Sequence, residues 1–148
     1  MMNKIRLERL ILAGFATLVM FIVAEIFVEL IVGKLVLGIN LYFPLPNVEH
    51  WGVANQILNI SLGLVNSVLM IWLYASLRPM FGVGYKTAFI ASGIALVLAL
   101  TMTINVINLG LVPARPALIE LIYEAIELPI AMLVGAMVYE GVTEPIPA

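Results

Sequence analysis

Four long apolar runs dominate the chain, over about 10–33, 53–77, 88–112 and 117–139. Polar residues, prolines and glycines gather between them, at 34–52, 78–87 and 113–116. A helix rises 1.5 Å per residue, so about 20 apolar residues cross the ~30 Å hydrocarbon core of a bilayer. Each run reaches that length. The connections are short, which makes consecutive helices antiparallel neighbours. The pattern therefore predicts an all-α, integral membrane protein, an antiparallel up-down four-helix transmembrane bundle. No internal repeat, low-complexity run or flexible linker interrupts it, so 1–148 reads as a single transmembrane domain.

Small residues recur at four-residue spacing on three of the runs: Gly63 and Ser67, then Ala91, Ala95 and Ala99, then Ala131 and Gly135. Such spacing lets backbones approach closely, which is how helices associate inside lipid. Packing within one bundle is the expected use.

Composition agrees with this pattern. Hydrophobic residues make up 64% of the chain and charged residues 11%, with a mean hydropathy of +1.15. A soluble domain carries roughly a quarter charged residues and needs them to cover its surface. A net charge of −2 gives no basic face for nucleic acid. Cysteine is absent, which excludes thiol catalysis and cysteine-ligated metal.

Charge also orients the chain. Lys4, Arg6 and Arg9 precede the first run, and Arg78 and Lys86 lie between the second and third. Lys34 and Arg115 fall on the other side. The lysine and arginine bias of short loops places both termini in the cytoplasm. Tyr42, Phe43 and Trp51 suit the outer interfacial belt, and Trp72 and Tyr74 the inner one. The first run is too long for a signal-peptide core and lacks a small-residue exit site, so it is read as a retained span.

The residues that carry chemistry are the carboxylates inside the spans. Placing a charge at the bilayer centre costs at least ~2.5–3.5 kcal/mol, so such groups normally face protein or water. Glu25 and Glu29 are four apart on one face of the first span. Glu120, Glu124 and Glu127 share one face of the fourth. Because those spans run in opposite directions, both stripes are expected in the outer half of the membrane. Asn59 and Asn66 on the second span, and Asn105 and Asn108 on the third, are expected at similar depths. The prediction is an outer half with a polar interior and an inner half that is nearly apolar. Pro129 lies two residues beyond Glu127, where it removes a backbone donor and is expected to kink the helix.

Clustered carboxylates repel one another, so some are expected to hold protons at neutral pH. That suits proton or cation handling. Hydrogen bonding to the asparagines, which would lock helix packing, is the plainer use of the same residues. Oxygen ligands are compatible with a hard cation, and the metal is left unspecified. A carboxylate-bridged pair of irons would need Glu-x-x-His on its helices, and the chain's one histidine, His50, lies outside the spans. No cofactor is expected. With no cysteine, no histidine in a span and no nucleophile–base pair, an enzyme is the least supported class.

The loop from Arg78 to Thr87 has the glycines of a phosphate-binding loop, but Tyr85 separates Gly84 from Lys86 and no strand precedes it. Its expected role is mechanical. Pro79 ends the second span, Gly82 and Gly84 turn the chain, and Thr87 caps the third span. Arg78 and Lys86 are expected to anchor the helix ends to anionic headgroups.

The same stretch carries a resemblance. Trp72, Tyr74, Arg78, Pro79, Phe81, Gly82, Gly84, Lys86, Thr87 and Ala88 follow the pattern W-x-Y-x-x-x-R-P-x-F-G-x-G-x-K-T-A. This resembles the cytoplasmic-loop signature of a family of uncharacterised bacterial four-transmembrane-helix proteins. Glu127, Leu128 and Pro129, followed by Gly135, Ala136 and Tyr139, resemble its last span, and Glu25 matches its acidic position in span one. Glu29, Glu120 and Glu124 are not part of that pattern. The resemblance implies a multi-pass protein of the bacterial inner (cytoplasmic) membrane and implies no activity. Two functions remain open: a small protein handling protons or cations through Glu25, Glu124 and Glu127, or an accessory subunit of a larger membrane complex. The first implies a homo-oligomer, because four spans in one protomer rarely enclose a pathway.

Overall fold

The computed structural model describes residues 7–28, 30 and 52–141. Among these the chain is entirely helical: α1 (Leu7–Phe27), α2 (Val53–Phe81), α3 (Tyr85–Asn108) and α4 (Ala114–Glu140). All four are long and apolar enough to cross a membrane. The protein is thus a multi-pass four-helix bundle, as the apolar runs predict. Residues 31–51, with Lys34, Tyr42, Phe43, His50 and Trp51, lie outside the described residues, and so does Glu29.

Two helix ends differ from expectation. Pro79 does not end the second span, because α2 continues to Phe81. A proline removes only its own N–H bond, and the helix stops where Gly82 adopts φ +87° and its N–H closes onto the Arg78 carbonyl at 2.9 Å. Thr87 does not cap α3. Gly84 holds the cap position without a side-chain bond, and the Thr87 hydroxyl instead donates back to the Gly82 carbonyl at 2.6 Å. That bond ties the turn to the first turn of the next helix. In α4, Pro129 sits inside an unbroken helix.

The helices form a ring in chain order, α1 against α2, α2 against α3, α3 against α4 and α4 against α1, with α2 and α4 also touching across it. Burial is concentrated at one end. The core contains Leu10, Ala13, Thr17 and Leu18 of α1, Met70, Ile71, Tyr74 and Ala75 of α2, Ala88 and Ala91 of α3, and Leu128, Ala131, Met132, Ala136 and Tyr139 of α4. These are the beginnings of α1 and α3, the end of α2 and the second half of α4, and Ala117 near the start of α4 is a buried residue at the other end. Toward the other end, α2 buries nothing before Ser67 and α3 nothing after Ser92. The bundle is packed at what we term its closed end and spreads toward its open end.

Two glycines set the helix separation at the closed end. A Cβ at Gly135 would collide with Thr17 Oγ1 and the Ile71 side chain, and one at Gly14 would lie 2.9 Å from the Val68 Cα as well as against its side chain. Gly135, Thr17 and Ile71 therefore form one layer through α4, α1 and α2. Buried hydroxyls are satisfied locally: Thr17 donates to the Ala13 carbonyl at 2.9 Å and Ser92 to Phe89 at 3.0 Å.

Gly14→Ala should overpack the α1–α2 contact and cost about 1–3 kcal/mol. Gly93→Ala is the control, since nothing lies within 4 Å of a Cβ there. Unfolding in mixed micelles should show Gly14→Ala clearly weakened and Gly93→Ala at or slightly above wild type.

Candidate functional site at the open half

Helix register places the carboxylates. Glu25 is eight residues beyond Thr17, and Glu127 is eight residues from Gly135 in the same direction. At 1.5 Å per residue both stand about 12 Å from the Thr17–Ile71–Gly135 layer, toward the open end. α1 and α4 are neighbours, so Glu25 and Glu127 stand at the same height on adjacent helices, with Glu124 and Glu120 continuing the α4 stripe toward the open end. The two stripes predicted from spacing thus lie on adjacent helices in the open half.

Their surroundings differ. Glu120 and Glu25 are exposed on the surface of the chain, and Glu124 is half-buried. Glu127 is the central residue of the 27-residue α4 and is only 8% exposed. Among the described residues it has neither a hydrogen-bond partner nor a cation beside it. Its side chain is covered while its carboxylate oxygens still reach the surface of the chain, and inside a membrane an anion there without a partner is costly. No group of three acidic or histidine side chains among the described residues converges closely enough to hold a metal ion.

The asparagines depart from expectation. Asn59, Asn66, Asn105 and Asn108 are all exposed, and none is bonded to a glutamate among the described residues. Asn105 and Asn108 fall in the last turn of α3, where a carboxamide reaches the interface. Asn59 falls in the second turn of α2, whereas Asn66 adjoins the midpoint of that helix.

The closed half departs further, because its interior is not apolar. Arg78 is not directed outward as a headgroup anchor. It turns inward onto Glu140, with Nη2 donating to Oε2 at 2.8 Å and Nε 2.8 Å from Oε1. Both side chains are 20% exposed. Nε makes an ion-pair contact there without hydrogen-bond alignment. The Tyr74 hydroxyl donates to Glu140 Oε1 at 3.0 Å and accepts the Gly84 N–H at 3.2 Å. The guanidinium lies over the Tyr139 ring at 5.5 Å, and the two tyrosines meet edge to face at 6.3 Å. Arg9 reaches the Glu140 carbonyl at 3.1 Å. This clamp joins α1, α2, the α2–α3 turn and α4. Lys86 stays exposed at the start of α3.

Sequence reasoning missed Tyr74, Tyr139 and Glu140 as a unit. The available signal was chemical: an arginine at a helix end needs an acceptor, and Glu140 is the acid at the matching end of the last span.

A comparison with protein-family models, with curated proteins and with solved structures finds no match to this chain. The functional reading therefore rests on the geometry.

Arg78→Met and Glu140→Gln should each destabilise the bundle by about 2–5 kcal/mol, because each leaves a largely buried partner uncompensated. The double variant should recover much of that loss in a double-mutant cycle. Additive losses would show that the pair contributes little.

Proposed function

We propose that the carboxylate cluster binds and exchanges protons near the middle of the membrane, with Glu127 as the central acceptor and Glu25, Glu120 and Glu124 as the groups that tune it. One observation carries this reading: Glu127 lies at the midpoint of its helix, 8% exposed and unpartnered among the described residues, with Glu25 at the same height on the neighbouring helix and Glu124 and Glu120 on its own stripe. A permanent anion there would pay both desolvation and repulsion. A proton removes both costs, and the carboxyl gives it up again when water or a mobile neighbouring carboxylate reaches it from the open end. Intramembrane carboxylates of this kind are typical of proton relays.

In the orientation set by the basic residues, the closed end faces the cytoplasm and the cluster opens toward the outside of the membrane, which we read as a bacterial inner membrane. The Arg78–Glu140 clamp then seals the cytoplasmic end. Protons would reach Glu127 from the open end by way of Glu120 and Glu124. No catalytic turnover and no cofactor are needed for this role. A hard metal cation fits the chemistry less well, since three acidic side chains do not converge on one point among the described residues.

A second reading is favoured by a separate observation. α3 presents most of its length outward, with Val97, Leu98 and Met102 each more than 60% exposed. A chain with so much uncovered surface and so little loop suits an accessory subunit of a larger membrane complex. Copurification of a larger protein in fixed proportion would favour that reading.

A hydrophobic carbodiimide, which modifies only a protonated carboxyl in an apolar setting, provides the test. Purified protein in vesicles should be labelled at Glu127, and labelling should fall as the pH rises. Glu127→Gln should lose the label while retaining its helix content. Absence of labelling at every pH would overturn the proton-binding role.

A further inference from the structure

Ser67 of α2 is 2% exposed, and its hydroxyl makes no hydrogen bond among the described residues. Ser61, Ser76 and Thr101 each donate to the carbonyl four residues back in their own helix, at 2.7, 2.8 and 2.8 Å. Thr17 does the same inside the core at 2.9 Å. The carbonyl that would serve Ser67 in this way is that of Gly63, and it is not used. The small part of Ser67 that stays accessible includes its oxygen, so a water molecule fits against a hydroxyl that is otherwise enclosed. A buried hydroxyl needs such a partner.

Helix rise places this hydroxyl relative to the carboxylates. Ser67 is four residues from Ile71, about 6 Å from the Thr17–Ile71–Gly135 layer toward the open end. Gly63 is eight residues from Ile71, as Glu25 is from Thr17 and Glu127 from Gly135. These three residues therefore form a second layer, about 12 Å from the first. Two of its members are carboxylates, and the third brings no side chain. Gly63 and Ser67, four apart, share a face of α2. A Cβ at Gly63 would meet one atom within 4 Å, Leu18 Cδ1 at 3.1 Å, whereas Gly14 and Gly135 are pressed against neighbouring helices. The small residue at 63 leaves room instead of closing a helix contact.

We infer that water follows the carboxylates inward past Gly63 and ends on the Ser67 hydroxyl, one helical turn deeper than Glu127. Ser67 is a positioning residue that holds the innermost water of the open half within reach of the carboxylate layer. Below it Ile71 and Tyr74 are fully buried, which gives the water a floor. The barrier across the membrane is then the closed half alone, and a transmembrane potential falls across that shorter span. The inference rests on the same carboxylate layer as the proton reading and holds whether or not Glu127 binds a proton.

The chain has no cysteine, so single introduced thiols report on water directly. Silver ion reacts with a thiolate that water reaches, and it is small enough to follow a narrow passage. Ser67→Cys, Ile71→Cys and Leu69→Cys chains in vesicles should be exposed to dilute silver nitrate and then unfolded, and the remaining thiol counted with a fluorescent maleimide. Ile71 lies one turn deeper, and Leu69, at nearly the height of Ser67, is 55% exposed on the other side of α2. Ser67→Cys should be consumed at least about tenfold faster than either control. Adding Gly63→Val should slow that reaction by a similar factor while helix content is unchanged. Equal rates at positions 67 and 71, a faster reaction at position 69, or indifference to Gly63→Val would overturn the inference. Carbodiimide labelling of Glu127 in the same vesicles separates the two proposals: label with an unreactive Ser67→Cys sinks only the water path, and a reactive Ser67→Cys without label sinks only the proton site.

Discussion

The ion pair between Arg78 and Glu140 joins residues 62 positions apart and fixes the closed end of the bundle. Around it the Tyr74 hydroxyl bridges the carboxylate to the Gly84 amide, the guanidinium covers Tyr139, and Arg9 reaches the Glu140 carbonyl. Each polar group brought into the apolar end thereby finds an opposite charge, an acceptor or an aromatic face. The glycine contacts one layer further in depend on this alignment. Gly135 can meet Thr17 and Ile71 only if α4 sits at the height and rotation that the clamp imposes.

That constraint governs the open half as well. Once the helices are pinned at one end and spread toward the other, side chains on neighbouring α1 and α4 face each other at matched heights. Glu25 and Glu127 meet because each is eight residues from a shared layer, not because either attracts the other. Carboxyl groups placed at one height in this way share whatever protons they hold under a geometry set by the packing at the closed end. Local structure at the site is thus subordinate to packing energetics elsewhere, a division familiar where strained or repulsive groups are held by a stable frame.

Much of the architecture was legible in the sequence. Run length and turn residues place four helices to within a few positions, and glutamate spacing on the first and fourth spans assigns each carboxylate to its stripe. Three features were not legible. Helix rotation decides that the asparagines are exposed and Glu127 covered, and a period of 3.6 residues fixes which residues share a face without fixing where that face points. The role of Arg78 depended on Glu140, a contact across 62 residues of sequence that no local pattern encodes. Pro79 and Thr87 carry strong local preferences for ending and capping helices, and the tertiary contacts of the turn overrode both.

The clamp also imposes an order on biogenesis. Tyr74 and Arg78 are synthesised about sixty residues before Glu140, so they enter the membrane while their acceptor is still to be made. During that interval the guanidinium can be satisfied only by lipid phosphate or by water. Arrival of the last helix exchanges that temporary partner for a permanent one. The fourth span is consequently the keystone of the assembly: the first three helices can insert, but the bundle locks only when Glu140 reaches the arginine that has been waiting for it.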